Sequence, residues 1–270
     1  MNKPVPLEDN QAPPTKDRNF VTALARGLEL LRAFGTGEEY LGNAELSGRT
    51  GIPRPTVSRL TYTLTQLGYL RHNSRLEKYR LGPGILALGY RFLASQGIRE
   101  IARPFMQQFA EATDCNVSLG AADKADMVYV ESCHGSGPLI LRLDVGSRLP
   151  MATTAIGRAW LCGLGEARRE AVLETLAEAH GDEWPALEAG IRRSQEDYAR
   201  HGFCLSEGDW QSQISAVATP LILEDGAEVM AINCGGASHR LSHEILIENL
   251  GPRLKEVAKR ILGELQHGAR

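Results

Sequence analysis

Residues 51–70 read GIPRPTVSRLTYTLTQLGYL, and no other stretch limits the possible folds so sharply. Two prolines bracket Arg54. Behind them Val57, Leu60, Leu64 and Leu67 recur at helical spacing on one side, while Arg59, Tyr62, Thr63 and Gln66 fall opposite, with Ser58 at the margin. The residue before a proline favours extended geometry, and a proline in the first helical turn lacks an N–H that would have had no intrahelical partner. Pro53 and Pro55 therefore fix the angle at which a third helix leaves the turn. Gly68 ends that helix as the residue past its C-cap.

The flanking segments complete a small domain. Val21, Leu24, Leu28 and Leu31 have the period of an amphipathic first helix, stopped by Phe34, Gly35 and Gly37. A short second helix starts near Asn43, a favourable N-cap, carries Leu46 and ends at TGIP. Beyond the third helix, YLRHNSRLEKYRLG holds two short β-prone pieces, 69–72 and 78–81, around a polar turn at Asn73 and Ser74. Three helices and a basic hairpin, with a tight Gly/Pro turn between the second and third helices, outline a winged helix-turn-helix over 20–82.

Charge indicates a partner. Residues 20–91 contain ten Lys/Arg against five Asp/Glu, whereas the remainder carries 20 basic and 28 acidic residues. A net charge of −3 thus conceals a cationic front third suited to a polyanion. A DNA duplex calls for cations and hydroxyls at its phosphates and for a few side chains that reach base edges from the first turns of a helix. Arg54, Thr56, Ser58, Arg59 and Tyr62 are of those types in that place. Arg59 suits bidentate contact with a guanine, and Thr56 and Ser58 suit phosphates or short base contacts. In the hairpin Arg71, His72, Arg75 and Lys78 suit a flanking minor groove or the backbone. The same residues also fit the solvated face of a structural unit, or a winged helix that docks on protein. The local charge imbalance favours DNA.

Residues 1–19 read as a disordered cytoplasmic tail with no apolar leader. No apolar run approaches the roughly 18–20 residues that cross a bilayer, so no membrane partner is expected. Residues 83–96, with Ile85, Leu86, Leu88, Phe92 and Leu93, read as a linker helix. Over 97–270 the texture changes. Ile101, Phe105, Met106 and Phe109 mark a helix, strand candidates follow at 116–122, 127–131, 139–144, 216–223 and 229–234, and helices are expected at 155–164, 166–180, 184–201 and 243–265. Consecutive strands with helices grouped apart make this an α+β domain.

Cys115, Cys133, Cys162, Cys204 and Cys234 are odd in number, scattered and without a CxxC pair, which reads as reduced thiols. His239 and His243 stand four apart, a helix-face spacing, but without the carboxylate pattern of a zinc protease. Neither a metal nor a cofactor nor a catalytic residue is expected.

The segments ALARGLELLRAF, AELSGRTGIPRPTVSRLTYTLTQLGYL, YRLGPGILALG, GSRLPMATTAIGRAWL and ATPLIL with AINCGG together resemble the IclR-type bacterial transcriptional regulators, in order, from about residue 20 to the C-terminal helix. The resemblance implies a winged helix-turn-helix, a linker helix and a GAF-like α/β effector-binding domain. It implies homodimers formed through the N-terminal part, often paired again into homotetramers, on a pseudo-palindromic double-stranded DNA operator of a catabolic operon. It also implies a small organic acid or aromatic effector, a carboxylate, between the sheet and its loops. Carried over by position, TTAIG gives Thr154 and the backbone amides of Ala155 and Ile156 as a carboxylate seat at a helix mouth. AINCGG gives Asn233 and Gly235, and SEGDWQSQISA gives Ser206, Asp209 and Trp210.

Each has a plainer use. Thr153 and Thr154 suit helix caps, Asn233 a strand end, Asp209 a solvated loop and Trp210 the core. The chain departs from its relatives where Arg54-Pro55 replaces Lys-Ser, losing a hydroxyl and an amide N–H, and where Arg158 replaces a lysine. The alternative function is a GAF-domain thiol enzyme or redox sensor, which needs an exposed low-pKa cysteine and a resolving partner.

Overall fold

The computed structural model describes residues 19–35, 37, 39–136, 143–223 and 226–268. The expected tail over 1–19 lies outside them except for Asn19, and so does the expected strand over 139–144 except for residues 143 and 144, which belong to no strand. The chain divides into two units, Met1–Ser95 and Gln96–Arg270.

The first unit runs α1 (Thr22–Arg32), α2 (Asn43–Thr50), α3 (Arg54–Gln66), β1 (Leu70–Asn73), β2 (Lys78–Leu81) and α4 (Pro83–Ser95). Asn43 is the first helical residue of α2 and not its cap. The Glu45 carboxylate takes the capping role by accepting the Gly42 N–H at 2.6 Å, and Asn43 Oδ1 accepts the Thr61 hydroxyl at 3.3 Å. Gly51, at φ +68°, ends α2 in the left-handed geometry that suits glycine. Pro53 then stands as an extended N-cap whose carbonyl accepts the Thr56 and Val57 N–H groups at 2.9 and 3.0 Å, and Pro55 occupies the first turn without loss of a helical bond. In the hairpin Leu70 pairs with Leu81 and Asn73 with Lys78, while Asn73 Oδ1 accepts the Arg75 and Leu76 N–H groups.

Leu30, Leu41, Leu46, Ile52, Val57, Leu64 and Leu70 form the core of this unit. Two faces differ from the spacing argument. In α1 the buried positions are Gly27 and Leu30, and Leu24 and Leu28 are more than half exposed. Leu67, which caps the C-terminus of α3, is exposed, and Thr61 within it is fully buried, its hydroxyl returned to the Val57 carbonyl at 3.0 Å. Periodicity finds apolar stripes without saying which one the neighbouring helices cover, and a hydroxyl that bonds its own helix can be buried like a methyl group. No residue of α4 is buried.

The second unit runs α5 (Ile98–Thr113), β3 (Asn116–Asp123), β4 (Asp126–His134), β5 (Arg148–Pro150), α6 (Ala155–Gly163), α7 (Glu166–His180), α8 (Trp184–His201), β6 (Cys204–Glu207), β7 (Ile214–Leu223) and β8 (Glu228–Ala237). It closes with α9 (His243–Ile245), a π turn over Leu246–Leu250 and α10 (Gly251–Gly268). His239 lies in a turn before α9, so the two histidines share no helix face. The described strands form one antiparallel sheet ordered β5-β4-β3-β8-β7-β6, with α5 and α10 against one face and α6 against the other. This is the expected α+β architecture.

β4 changes face along its length. Leu119 pairs with Glu131 but Gly120 pairs with Tyr129, leaving Val130 as a bulge residue. Tyr129 therefore joins the core under α6, while Glu131 turns to α5, where Arg103 Nη1 and Arg99 Nη2 reach it at 2.7 and 3.0 Å.

Candidate nucleic-acid interface and ligand site

On α3, Arg54, Ser58, Arg59 and Tyr62 are exposed and Thr56 is half-buried. Arg71 and Arg75 are exposed on the hairpin. The guanidinium groups of Arg54, Arg59, Arg71 and Arg75 have no ion-pair or hydrogen-bond partner among the described residues. The helix adds the partial positive charge of its own N-terminus beside Arg54. Lys78 differs from these arginines. Its Nζ is 2.9 Å from Glu45 Oε1, so it neutralises the carboxylate that caps α2, and the Gly42 N–H and Lys78 together hold Glu45 below the usual carboxylate range. Sequence reasoning missed Tyr40, whose ring lies under the Arg80 guanidinium beside the hairpin.

The second unit brings most of its expected residues to the start of α6 and the sheet face beneath it. Thr154 caps α6, accepting the Gly157 N–H at 3.3 Å and donating to the Pro150 carbonyl at 2.7 Å. Thr153 does not cap, and its buried Oγ1 has no partner. The amides of Ala155 and Ile156 belong to the first turn, which a helix leaves without intrahelical acceptors, and both side chains are buried in the core. Ser206 donates its hydroxyl to the Thr153 carbonyl at 3.0 Å. Asp209 pairs with the buried Arg158, whose Nε donates to the Ala152 carbonyl at 2.8 Å. The Arg158 guanidinium lies against Gly190 of α8, where a Cβ would collide with it. Trp210 packs against the core.

On the sheet Asn233 donates its Nδ2 to the Tyr129 hydroxyl at 3.1 Å, and its buried Oδ1 has no partner. Burial pushes the Tyr129 phenol up to about 12, against hydrogen bonds from Asn233 and Ser118 that pull it down. Ser118 and Ser132 join hydroxyls at 2.9 Å. Gly235 lies in register between Asn116 and Ala216, where a Cβ would crowd the Ala216 side chain at 3.0 Å. Sequence reasoning missed Tyr129, Ser118 and Ser132, because the bulge in β4 hides which residues share a face. Buried oxygens without donors, as at Thr153 and Asn233, are where an ordered water or a ligand group belongs. Among the described residues no His/Cys/Asp/Glu cluster is placed to hold a metal, and no helix is long and apolar enough to cross a membrane.

The model of the IclR helix-turn-helix domain matches residues 23–74, and that of the bacterial transcriptional regulator IclR C-terminal domain matches residues 90–262. The chain belongs to the IclR family. This IclR-family regulator is 32% identical over 249 residues to the HTH-type transcriptional regulator TsaQ1/TsaQ2 of Comamonas testosteroni, covering 92% of this chain and 89% of that protein. It is 27% identical over 261 residues to the p-hydroxybenzoate hydroxylase transcriptional activator of Acinetobacter baylyi, covering 91% and 92%. An IclR-family transcriptional regulator from Brucella abortus has the same fold, with a TM-score of 0.85 at 42% identity over 97% of this chain and 99% of that one. The pair α2 and α3 is thus the helix-turn-helix of an IclR-family transcriptional regulator. All three relatives are regulators, which gives the thiol-enzyme alternative no support.

Proposed function

We propose that this chain is a ligand-responsive, non-enzymatic regulator of a catabolic operon in the cytoplasm, with a DNA-binding domain over 20–82, a linker helix over 83–96 and an effector-binding domain over 97–270. The observation that carries the DNA reading is the set of four guanidinium groups on α3 and the hairpin that the first unit leaves without counter-ions. Arg59 reads a guanine, Arg54, Thr56, Ser58 and Tyr62 position the helix, and Arg71 and Arg75 follow the flanking backbone. Lys78 braces the hairpin on α2.

Two further observations support the partners. Leu24 and Leu28 on α1 and Leu86, Leu88, Tyr90 and Phe92 on α4 are exposed, apolar side chains suited to contact with a second copy of the chain. A symmetric dimer, which can pair again into a tetramer, offers two α3 helices to half-sites about one duplex turn apart. The effector is a small carboxylate seated at the Ala155 and Ile156 amides, with Thr154, Ser206, Asp209, Trp210, Asn233 and Gly235 around it. The unpartnered Thr153 and Asn233 oxygens support that site, and the Acinetobacter relative's link to p-hydroxybenzoate hydroxylase supports an aromatic acid. The effector acts by binding one arrangement of the protein better than another.

Fluorescence anisotropy of the full chain on duplex DNA from upstream of its own gene tests the reading. Preference over a scrambled duplex is expected, with an affinity that falls steeply as salt rises. Equal binding to both duplexes at every salt concentration would refute it.

A further inference from the structure

Cys162 and Cys204 are 42 residues apart in the chain, yet their sulfurs lie 3.6 Å apart, where the end of α6 meets the start of β6. That separation is thiol–thiol contact, against about 2.05 Å for a disulfide bond. The two thiols differ in access. Cys204 is fully buried, whereas Cys162 is partly exposed. An accessible thiol backed by a buried one is the arrangement of a peroxide-reactive cysteine and its resolving partner.

The surroundings assign the roles. The hydrogen bond from Cys204 holds the Cys162 thiol below its ordinary value, helped by the Arg169 guanidinium and opposed by burial and Asp197. The same hydrogen bond and complete burial push Cys204 up, so it keeps its proton. The Ser194 carbonyl, 3.4 Å from the Cys204 sulfur, is the alternative acceptor for the single Cys204 proton. The other three cysteines lack this combination. Cys115 and Cys234 form a second hydrogen-bonded pair, in which the bond from Cys234 lowers Cys115 to about 7, but both are buried out of reach of peroxide, and burial pushes the buried Cys133 up to about 11.

We propose that Cys162 is an oxidation site for peroxides, with Cys204 as its resolving thiol. The Cys162 thiolate attacks one oxygen of hydrogen peroxide and the O–O bond breaks, giving a sulfenic acid and a hydroxide that takes up a proton as water. The Cys204 sulfur then displaces the sulfenic oxygen, forming the S–S bond, and the Cys204 proton leaves with that oxygen in a second water. Two thiols are oxidised and one peroxide is reduced to two waters. The bond ties α6, which starts at Ala155, to β6, which carries Ser206, and so fixes two walls of the ligand site together.

The test uses the purified full chain and hydrogen peroxide, with no DNA or effector, so its outcome is separate from that of the proposed function. Non-reducing peptide mapping is expected to find a Cys162–Cys204 linkage that dithiothreitol reverses, with the other three thiols intact. Cys204→Ser is expected to leave a dimedone-trappable sulfenic acid on Cys162. Cys162→Ser is expected to slow thiol loss at least tenfold, and Cys133→Ser to leave it unchanged. The proposal is overturned if Cys162 reacts no faster than Cys133, or if peroxide consumes thiols without forming that intramolecular linkage.

Discussion

The two units treat charge in opposite ways. Arg54, Arg59, Arg71 and Arg75 of the first unit have no partner among the described residues, whereas Glu131 and Arg158 of the second are buried and matched on every side that polar groups reach. An exposed cation adds little to folding stability, so its partner can be another molecule. A buried charge has already lost its water and depends on its internal partners. The contrast separates a surface built to meet something from a domain whose ionic groups hold its own elements in place.

The largest effect that could break this contrast is expected at Glu131. Glu131→Gln leaves Arg99 and Arg103 facing a neutral side chain and should destabilise the second unit by about 3 kcal/mol, the lower end for a broken buried pair because Arg103 is more than half exposed. Trp160, Trp184 and Trp210 all lie in the second unit, so urea denaturation followed by tryptophan fluorescence reads that unit alone. A loss no larger than that of an exposed arginine would erase the distinction between the units.

A smaller effect is expected at high pH. The unfolded state releases the phenolic proton near pH 10, while the folded Tyr129 keeps it to about 12. Between those values the folded state binds more protons, so stability falls as pH rises, by about 2–3 kcal/mol across the window. Tyr129→Phe should remove that part of the slope, and an alkaline urea series compares the two proteins.

How far each region was legible in the sequence follows the same division. The outward polar residues of α3 follow from helical period and turn chemistry, because Pro53, Pro55, Gly51 and Gly68 fix that helix locally, whereas the same period misplaced Leu24, Leu28 and Leu67 and missed the buried Thr61. α7 and α8 were equally plain, bounded by Gly165, Gly181 and Gly202. The short edge strands β5 and β6 show no readable alternation at three and four residues. The proposed ligand site was legible only in part, since Asn233 and Thr154 come from motifs but Tyr129, Ser118 and Ser132 share its sheet face through a bulge and strand register. The contact between Cys162 and Cys204 depends wholly on tertiary packing, which spacing does not encode.

Within the first unit, Arg59 and Lys78 sharpen the comparison on a finer scale. Arg59→Ala should cost about 1–3 kcal/mol of DNA affinity and relax preference at one base position, read by anisotropy on single-base operator variants. Lys78→Ala should change affinity less, because its ammonium is already held by Glu45. If both variants lose affinity uniformly across sequences, α3 contacts phosphates alone.

Pro55 gives the smallest expected effect. Its ring stiffens the start of α3 and removes a first-turn N–H of the kind that can bind a phosphate. Pro55→Ser restores that amide and adds a hydroxyl, while the Pro53 carbonyl still closes the turn through the Thr56 and Val57 amides. The variant should bind the same operator somewhat more tightly, with the slope of log K against log salt unchanged, because a neutral hydroxyl and amide displace no counterion. Tighter binding at every salt concentration makes Pro55 a position where the first unit exchanged a phosphate contact for rigidity. Weaker binding means that the proline serves the unit through the angle at which it presents Arg54, Thr56, Ser58 and Arg59.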